Sequence, residues 1–253
     1  MSSQAFSAEC ETGASPSDSC EIEVSNTTYT LTGDINTNTT DNIIDFGDGA
    51  NSNTVNFIGD ITSEGLDARA FSFSDNDGNT LTMTGNIITE GNAAEGIKLF
   101  PGVTNANIDM TGNIATSGLY ADGIGLKDSD SNTINMTGNI TTAGEAYGLF
   151  IWNSDSNTTS LSGNISTSGI YSYGLFLNTS DSNTTNLTGN ITTTGDAAYG
   201  LFFANSSDSN TTNLTGNINT AGTSAIGLYL NTSDSNTTNL TGNITTTGEA
   251  ASY

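Results

Sequence analysis

The chain has 253 residues, a formal net charge of -24 and basic side chains only at Arg69, Lys98 and Lys127. That balance excludes the basic footprint that nucleic acid requires and a polybasic contact with anionic lipid. It contains no His, so a Ser or Cys nucleophile lacks an imidazole partner and the usual general bases are nearly absent.

The first 26 residues do not repeat, and we read residues 1–26 as a tail and N-terminal cap. The opening "MSSQAFSAEC" contains "AFSA", which is like the tail of a signal-cleavage region, without the positive and long apolar parts that would precede it. Cys10 and Cys20 are the only cysteines. Their proximity fits a small disulfide loop in an oxidising compartment, with two free thiols as the alternative.

From residue 27 to 253 the chain repeats. The Gly of a recurring "TGN"-like word stands at Gly33, Gly59, Gly85, Gly112, Gly138, Gly163, Gly189, Gly216 and Gly242, a period of about 26 residues. Two residues before each marker the side chain is apolar (Leu31 to Leu240), and two residues after it stands Ile (Ile35 to Ile244). Thr, Asn or Asp lie between. This alternation reads as one half-buried strand running through the marker. A second strand follows in each repeat, with inward pairs such as Phe71/Phe73, Leu175/Leu177 and Leu201/Phe203. Gly-rich and Asn/Ser/Asp-rich words between strands are turn chemistry. No apolar run is long enough for a membrane-spanning helix.

One repeat cannot stand alone. About five inward side chains contribute roughly 1.5–3 kcal/mol each, against about 1–2 kcal/mol per residue to order the backbone. Stacking closes that gap, so the expected fold is all-β: a right-handed parallel β-helix of about nine coils, forming a rod about 40 Å long. The sequence stops in mid-repeat at "TTTGEAASY", and we expect further coils or another domain to follow.

The word "G-N-I-x-T-x-G-x-x-A-x-G-[LI]", as in "GNITTTGDAAYGL", together with the Cys-x9-Cys opening and "YTLTGDI" at 29–35, resembles the passenger domains of Gram-negative autotransporters. The resemblance covers roughly residues 20–253. It implies a surface-displayed or secreted rod, export through a C-terminal outer-membrane β-barrel, and adhesion. This chain carries no such barrel and no enzymatic insertion.

Several columns are candidate sites. On the second strand the outward position runs Asp45, Ser72, Lys98, Gly125, then Phe150, Phe176, Phe202 and Tyr229, with Trp152 beside them and Tyr147, Tyr173 and Tyr199 three residues earlier. We expect an exposed aromatic ladder that contacts a host or abiotic surface, a glycan or another copy of the rod; rings stacked only to stabilise the coils are the alternative. Asp155, Asp181, Asp208 and Asp234 recur once per coil, as a row of calcium sites or as Asx turns. Asn or Asp follows every marker Gly and reads as an inter-coil ladder. Thr188, Thr192 and Thr194, with Thr241, Thr245 and Thr247, suggest an ordered Thr array and hence ice binding as a rival function. Asn-x-Ser/Thr sequons such as Asn186, Asn190, Asn213 and Asn239 are abundant. The expectation is a non-enzymatic stalk or adhesin at the cell surface, without catalytic residues, metal or cofactor.

Overall fold

The computed structural model describes residues 8–10 and 19–251. They form a β-solenoid of three parallel sheets, with about nine turns of about 26 residues and no helix among the described residues. Each coil contributes one strand to each sheet. In one coil these are Thr184–Thr188 in a first sheet, Ile191–Thr193 in a second and Tyr199–Ala204 in a third. Every strand pairs in parallel with its counterpart one coil away, so Leu187 lies between Leu161 and Leu214, and Ile191 between Ile165 and Ile218.

The strand expected to run through the marker glycine is broken there into two strands on two sheets. Gly189 takes φ +149° and turns the chain sharply between Thr188 and Ile191. A Cβ on Gly189 would lie 1.9 Å from the Gly163 carbonyl oxygen of the preceding coil. Stacked corners leave room for hydrogen only, so the column must be glycine in both its conformation and its contacts.

The core is a continuous stack of the inward columns. Leu31, Val55, Phe57, Leu81, Ile108 and Ile134 on the first sheet face Ile35 to Ile218 on the second and the paired apolar residues of the third. Toward the N-terminus the core is rich in rings, with Phe46 stacked on Phe73 at 4.1 Å and Phe57 edge-on to Phe71 at 6.0 Å. In later coils one of the two inward columns of the first sheet becomes Thr159, Thr185 and Thr212, all buried, while the other keeps Leu161, Leu187 and Leu214.

Two amide ladders run along the rod. At the marker corner, Oδ1 of each Asn or Asp accepts the backbone N–H of the next coil's residue, from Asp34 to Asp60 at 2.9 Å through to Asn217 to Asn243 at 2.9 Å. A second ladder, absent from our reading of the sequence, is buried at the corner before the first sheet. Asn183 is representative: its Oδ1 accepts from Asn157 N–H at 2.8 Å, its Nδ2 donates to the Ser154 carbonyl at 2.8 Å, and its own N–H donates to Asn210 Oδ1 at 2.8 Å. Such satisfaction is what permits amides inside a solenoid.

At the N-terminal end, Ala8–Glu9 and Cys20–Ile22 add two strands to the third sheet, and a disulfide joins Cys10 to Cys20. The segment assigned to the cap thus already takes the register of the coils, with Cys20 paired to Ile44.

Candidate contact face

The outer surface of the third sheet differs from the other two. All three basic residues of the chain and the whole aromatic ladder lie on it. Phe150, Phe176, Phe202 and Tyr229 occupy one register column. Their rings stack along the rod at 5.2, 4.8 and 5.2 Å, with interplanar angles of 19°, 4° and 18°. Tyr147, Tyr173 and Tyr199 form a parallel stack at 5.1 and 4.8 Å. The two stacks meet edge to face, Tyr173 on Phe176 and Tyr199 on Phe202 both at 5.2 Å. This is the arrangement favoured by ring quadrupoles.

That packing corrects the expectation of an exposed ladder. Phe176 is only 8% exposed, and Phe150 and Phe202 are half-buried. The open members are the flanking ones, Trp152 at 38% and Tyr229 at 37%. Ring faces within the stacks are covered by neighbouring rings, so the stacked phenylalanines offer edges to a partner. The burial also shows in the phenols. Tyr147 is pushed up to about 12, first by burial and then by the Asp122 charge. Tyr173 and Tyr199 are raised chiefly by burial.

The two most exposed aromatic rings, Tyr120 and Tyr171, were not among the expected site residues. Leu119 and Tyr120, and two coils further Ile170 and Tyr171, project from the corner between the second and third sheets, with the tyrosines 63% and 58% exposed. Both tyrosines are left-handed, at φ 58° and 55°, an uncommon conformation for so bulky a residue. Their signal in the sequence was the words "SGLY" and "SGIY", which interrupt the more polar "GEAAY"-like corners. They lie beside the tyrosine stack and widen the apolar face.

Toward the N-terminus the same face is charged. Arg69 Nε is 2.6 Å from Glu95 Oε2, Lys98 Nζ is 3.1 Å from Glu95 Oε1, and the Arg69 guanidinium lies 4.9 Å from the Phe100 ring. Lys127 Nζ sits 4.6 Å over Trp152.

The remaining candidates resolve into corners and faces. The Asp of the recurrent turn accepts the backbone N–H of the next coil's Asp, as from Asp155 to Asp181 at 2.7 Å and from Asp181 to Asp208 at 2.7 Å; these are bonds between coils, a third ladder along the rod, rather than the local bond of an Asx turn. Among the described residues no group of three or more acidic, Cys or His side chains is placed to hold a metal. Thr188 belongs to the first sheet and Thr192 to the second, so the Gly189 corner keeps these Thr columns from forming one plane. The first sheet's outer face is itself a shallow trough of about 370 Å³, lined by Thr82, Thr84, Asp109, Asn135, Ser160 and Asn186 among others.

Comparison with family models, with curated proteins and with solved structures finds no match for this chain.

Proposed function

We propose that this protein is a non-enzymatic surface rod, of the autotransporter-passenger kind, that presents one apolar face to a macromolecular partner outside the cell. In this reading the first two sheets are scaffold, and the third carries the contact surface over its C-terminal half. Adhesion to a host or abiotic surface, or to another copy, uses Trp152, Tyr229 and the corner residues Leu119, Tyr120, Ile170 and Tyr171. An outer-membrane barrel in the complete protein supplies the anchor.

The observation that carries the reading is that the exposed rings Tyr120, Trp152, Tyr171 and Tyr229 all lie on the third sheet or at its edge over the C-terminal half of the rod, with Leu119 and Ile170 beside two of them, whereas Ile58 and Ile88 are exposed singly on the other two sheets; a cluster of exposed apolar side chains marks an interaction site. A flat partner surface suits the ladder better than a saccharide ring, because stacking partners already cover the ring faces. Ice binding by the Thr columns has less support, since the columns are split between sheets and the first sheet is troughed.

The test is adsorption of the purified rod to hydrophobic and glycan-coated beads, comparing wild type with the Trp152→Ser/Ile170→Ser/Tyr171→Ser variant. All three side chains project outward, so the far-ultraviolet circular dichroism should be unchanged. Loss of about tenfold or more in affinity is expected on the hydrophobic beads. Equal adsorption of the two proteins would refute the assignment of this face.

A further inference from the structure

The outer face of the third sheet, with the turns that follow its strands, is hollowed over the first coils, away from the aromatic stacks. One basin of about 430 Å³ is lined by Asp45, Ser72, Asp75, Arg69 and Phe100 among others. A second basin of about 340 Å³ adjoins it, sharing Asp45, Asp48 and Ser74 and adding Glu21 and Glu23. Each has the size of a small-molecule site. Two polar atoms at the junction lack partners. Ser72 is 1% exposed, and its hydroxyl makes no hydrogen bond. Asp45 is its register partner in the preceding coil. The Asp45 Oδ2 accepts from Asn42 Nδ2 at 3.0 Å, while Oδ1 is buried without a donor. Lys98 follows Ser72 in the same column, but its amine turns away across Gly125 and rests on Glu95 at 3.1 Å. Arg69 closes the far wall of the first basin, and its guanidinium is held by Glu95 at 2.6 Å and the Asp67 carbonyl at 3.0 Å. The five carboxylates of the two basins are strung along the hollow rather than gathered: among the described residues no three such groups are placed to hold a metal ion.

We propose that this hollow binds a linear alkyl diamine. One ammonium seats between Asp45 Oδ1 and Ser72 Oγ and gives each the donor it lacks. An ammonium carries three donors on one nitrogen, which suits two acceptors that neighbour each other without bonding. The Ser72 hydroxyl has one torsion to turn on and no hydrogen bond to hold it. The Arg69 charge closes one end of the hollow to a cation. The methylene chain therefore extends the other way, over the shared floor at Asp48, and brings the second ammonium to Glu21 and Glu23. Charges spaced along a chain match carboxylates spaced along a groove, which a compact metal ion does not. The site shares no residue with the aromatic contact face and stands independently of it.

The test is titration calorimetry of the folded chain with 1,5-diaminopentane at about 150 mM salt, where loose attraction between exposed charges is screened. One saturable site per chain is expected. The uncharged 1,5-pentanediol should not bind, and Mg²⁺ at the diamine's concentration should not displace it. Asp45→Asn should weaken binding by about tenfold or more, and Ser72→Ala by about threefold or more. Ser72→Ala removes a buried hydroxyl that has no partner, so its melting temperature should not fall. Asp155→Asn, in the exposed ladder of a later coil, should bind as wild type does. Absence of saturable binding overturns the proposal, as do equal affinities in wild type, Asp45→Asn and Ser72→Ala. Displacement by Mg²⁺ also overturns it, by tracing the binding to the net charge of -24 rather than to a site.

Discussion

The inward threonines of the later coils give the sharpest test of how this solenoid balances burial against polarity. Thr159, Thr185 and Thr212 stand in the column that holds Val55, Leu81, Ile108 and Ile134 in earlier coils. Their hydroxyls are buried and have no hydrogen-bond partner. The void they border measures about 10 Å³ and is apolar, at or below the space one water needs. A buried hydroxyl without a partner costs about 1–3 kcal/mol, and an apolar group of the same shape removes that cost. Val has the shape of Thr, and Val55 already fills this position in another coil. Replacing all three by Val should therefore stabilise the C-terminal coils by about 3 kcal/mol, allowing for neighbours that are not additive. In scanning calorimetry this is a rise of roughly 6–12 °C in the transition to which those coils contribute. Thr116→Val is the counter-experiment. Its hydroxyl donates to the Ala121 carbonyl at 2.5 Å, so the same chemical change should destabilise by about 1 kcal/mol. A triple valine variant that melts at or below wild type would refute the reasoning, because it would mean these hydroxyls are served in the native state.

Four other outcomes follow from the same geometry. Gly189→Ala drives a Cβ into the Gly163 carbonyl and should lower stability by at least ~3 kcal/mol, seen as loss of cooperative unfolding by circular dichroism. Asn183→Ala unpairs the buried Asn157 N–H and the Ser154 carbonyl of the preceding coil and should cost about 2–4 kcal/mol, whereas Asn190→Ala in the exposed ladder should cost about 1 kcal/mol; denaturant midpoints compare them. The stacked phenols keep their protons longer when folded than the ordinary value of about 10 permits in the unfolded chain, so their stabilisation is complete below about pH 10 and is lost as pH rises toward about 12, the value for Tyr147. Absorbance titration should show late-ionising tyrosines that vanish in Tyr147→Phe/Tyr173→Phe/Tyr199→Phe. Phe176→Ser should weaken the fold itself, by about 3–5 kcal/mol as for a buried ring, while Trp152→Ser leaves the melting temperature within about 2 °C.

The period, the inward columns and the ladder register were legible because each is written nine times in the same phase. A position that must face the core in every coil shows itself as a column without any knowledge of the turns. What was not legible depended on the third dimension of the coil. A marker glycine inside an alternating run reads as part of one strand, and only the approach of stacked corners reveals it as a bend. The Asn of "SDSN" looks like turn chemistry in the sequence, and it is in a turn, but its side chain points inward and serves as a buried connector. The phenylalanines were placed correctly on the outer face, yet their exposure depended on a second column, three residues away, that folds over them. Tyr120 and Tyr171 were missed because a corner with φ near +55° is expected to hold Gly or Asn, and a tyrosine there breaks the rule used to find it.

The distribution of rings along the rod links its stability to its surface. Near the N-terminus Phe46, Phe57, Phe71 and Phe73 are inside, and the outer column of the third sheet is polar or charged. Further along, one of the first sheet's two inner columns turns to Thr and the outer column of the third sheet turns to Phe; Phe203 is the core ring that persists. Burial lost from the interior is thus offset by rings stacked outside. Each stacked or edge-on pair contributes about 0.5–1.5 kcal/mol beyond its buried area, and the two columns hold three pairs in the phenylalanine stack alone. The ladder is then a second, external core for coils whose first core is weak. In the proposed contact role, a partner could not dislodge those rings without melting the coils beneath them, so recognition would fall to side chains that the fold can spare. Those are Trp152, which meets the ladder only at Phe150, at 6.3 Å, and the two corner pairs Leu119/Tyr120 and Ile170/Tyr171, whereas Tyr229 also closes the far end of the stack on Phe202. Stability and contact are therefore separable by mutation on a single face.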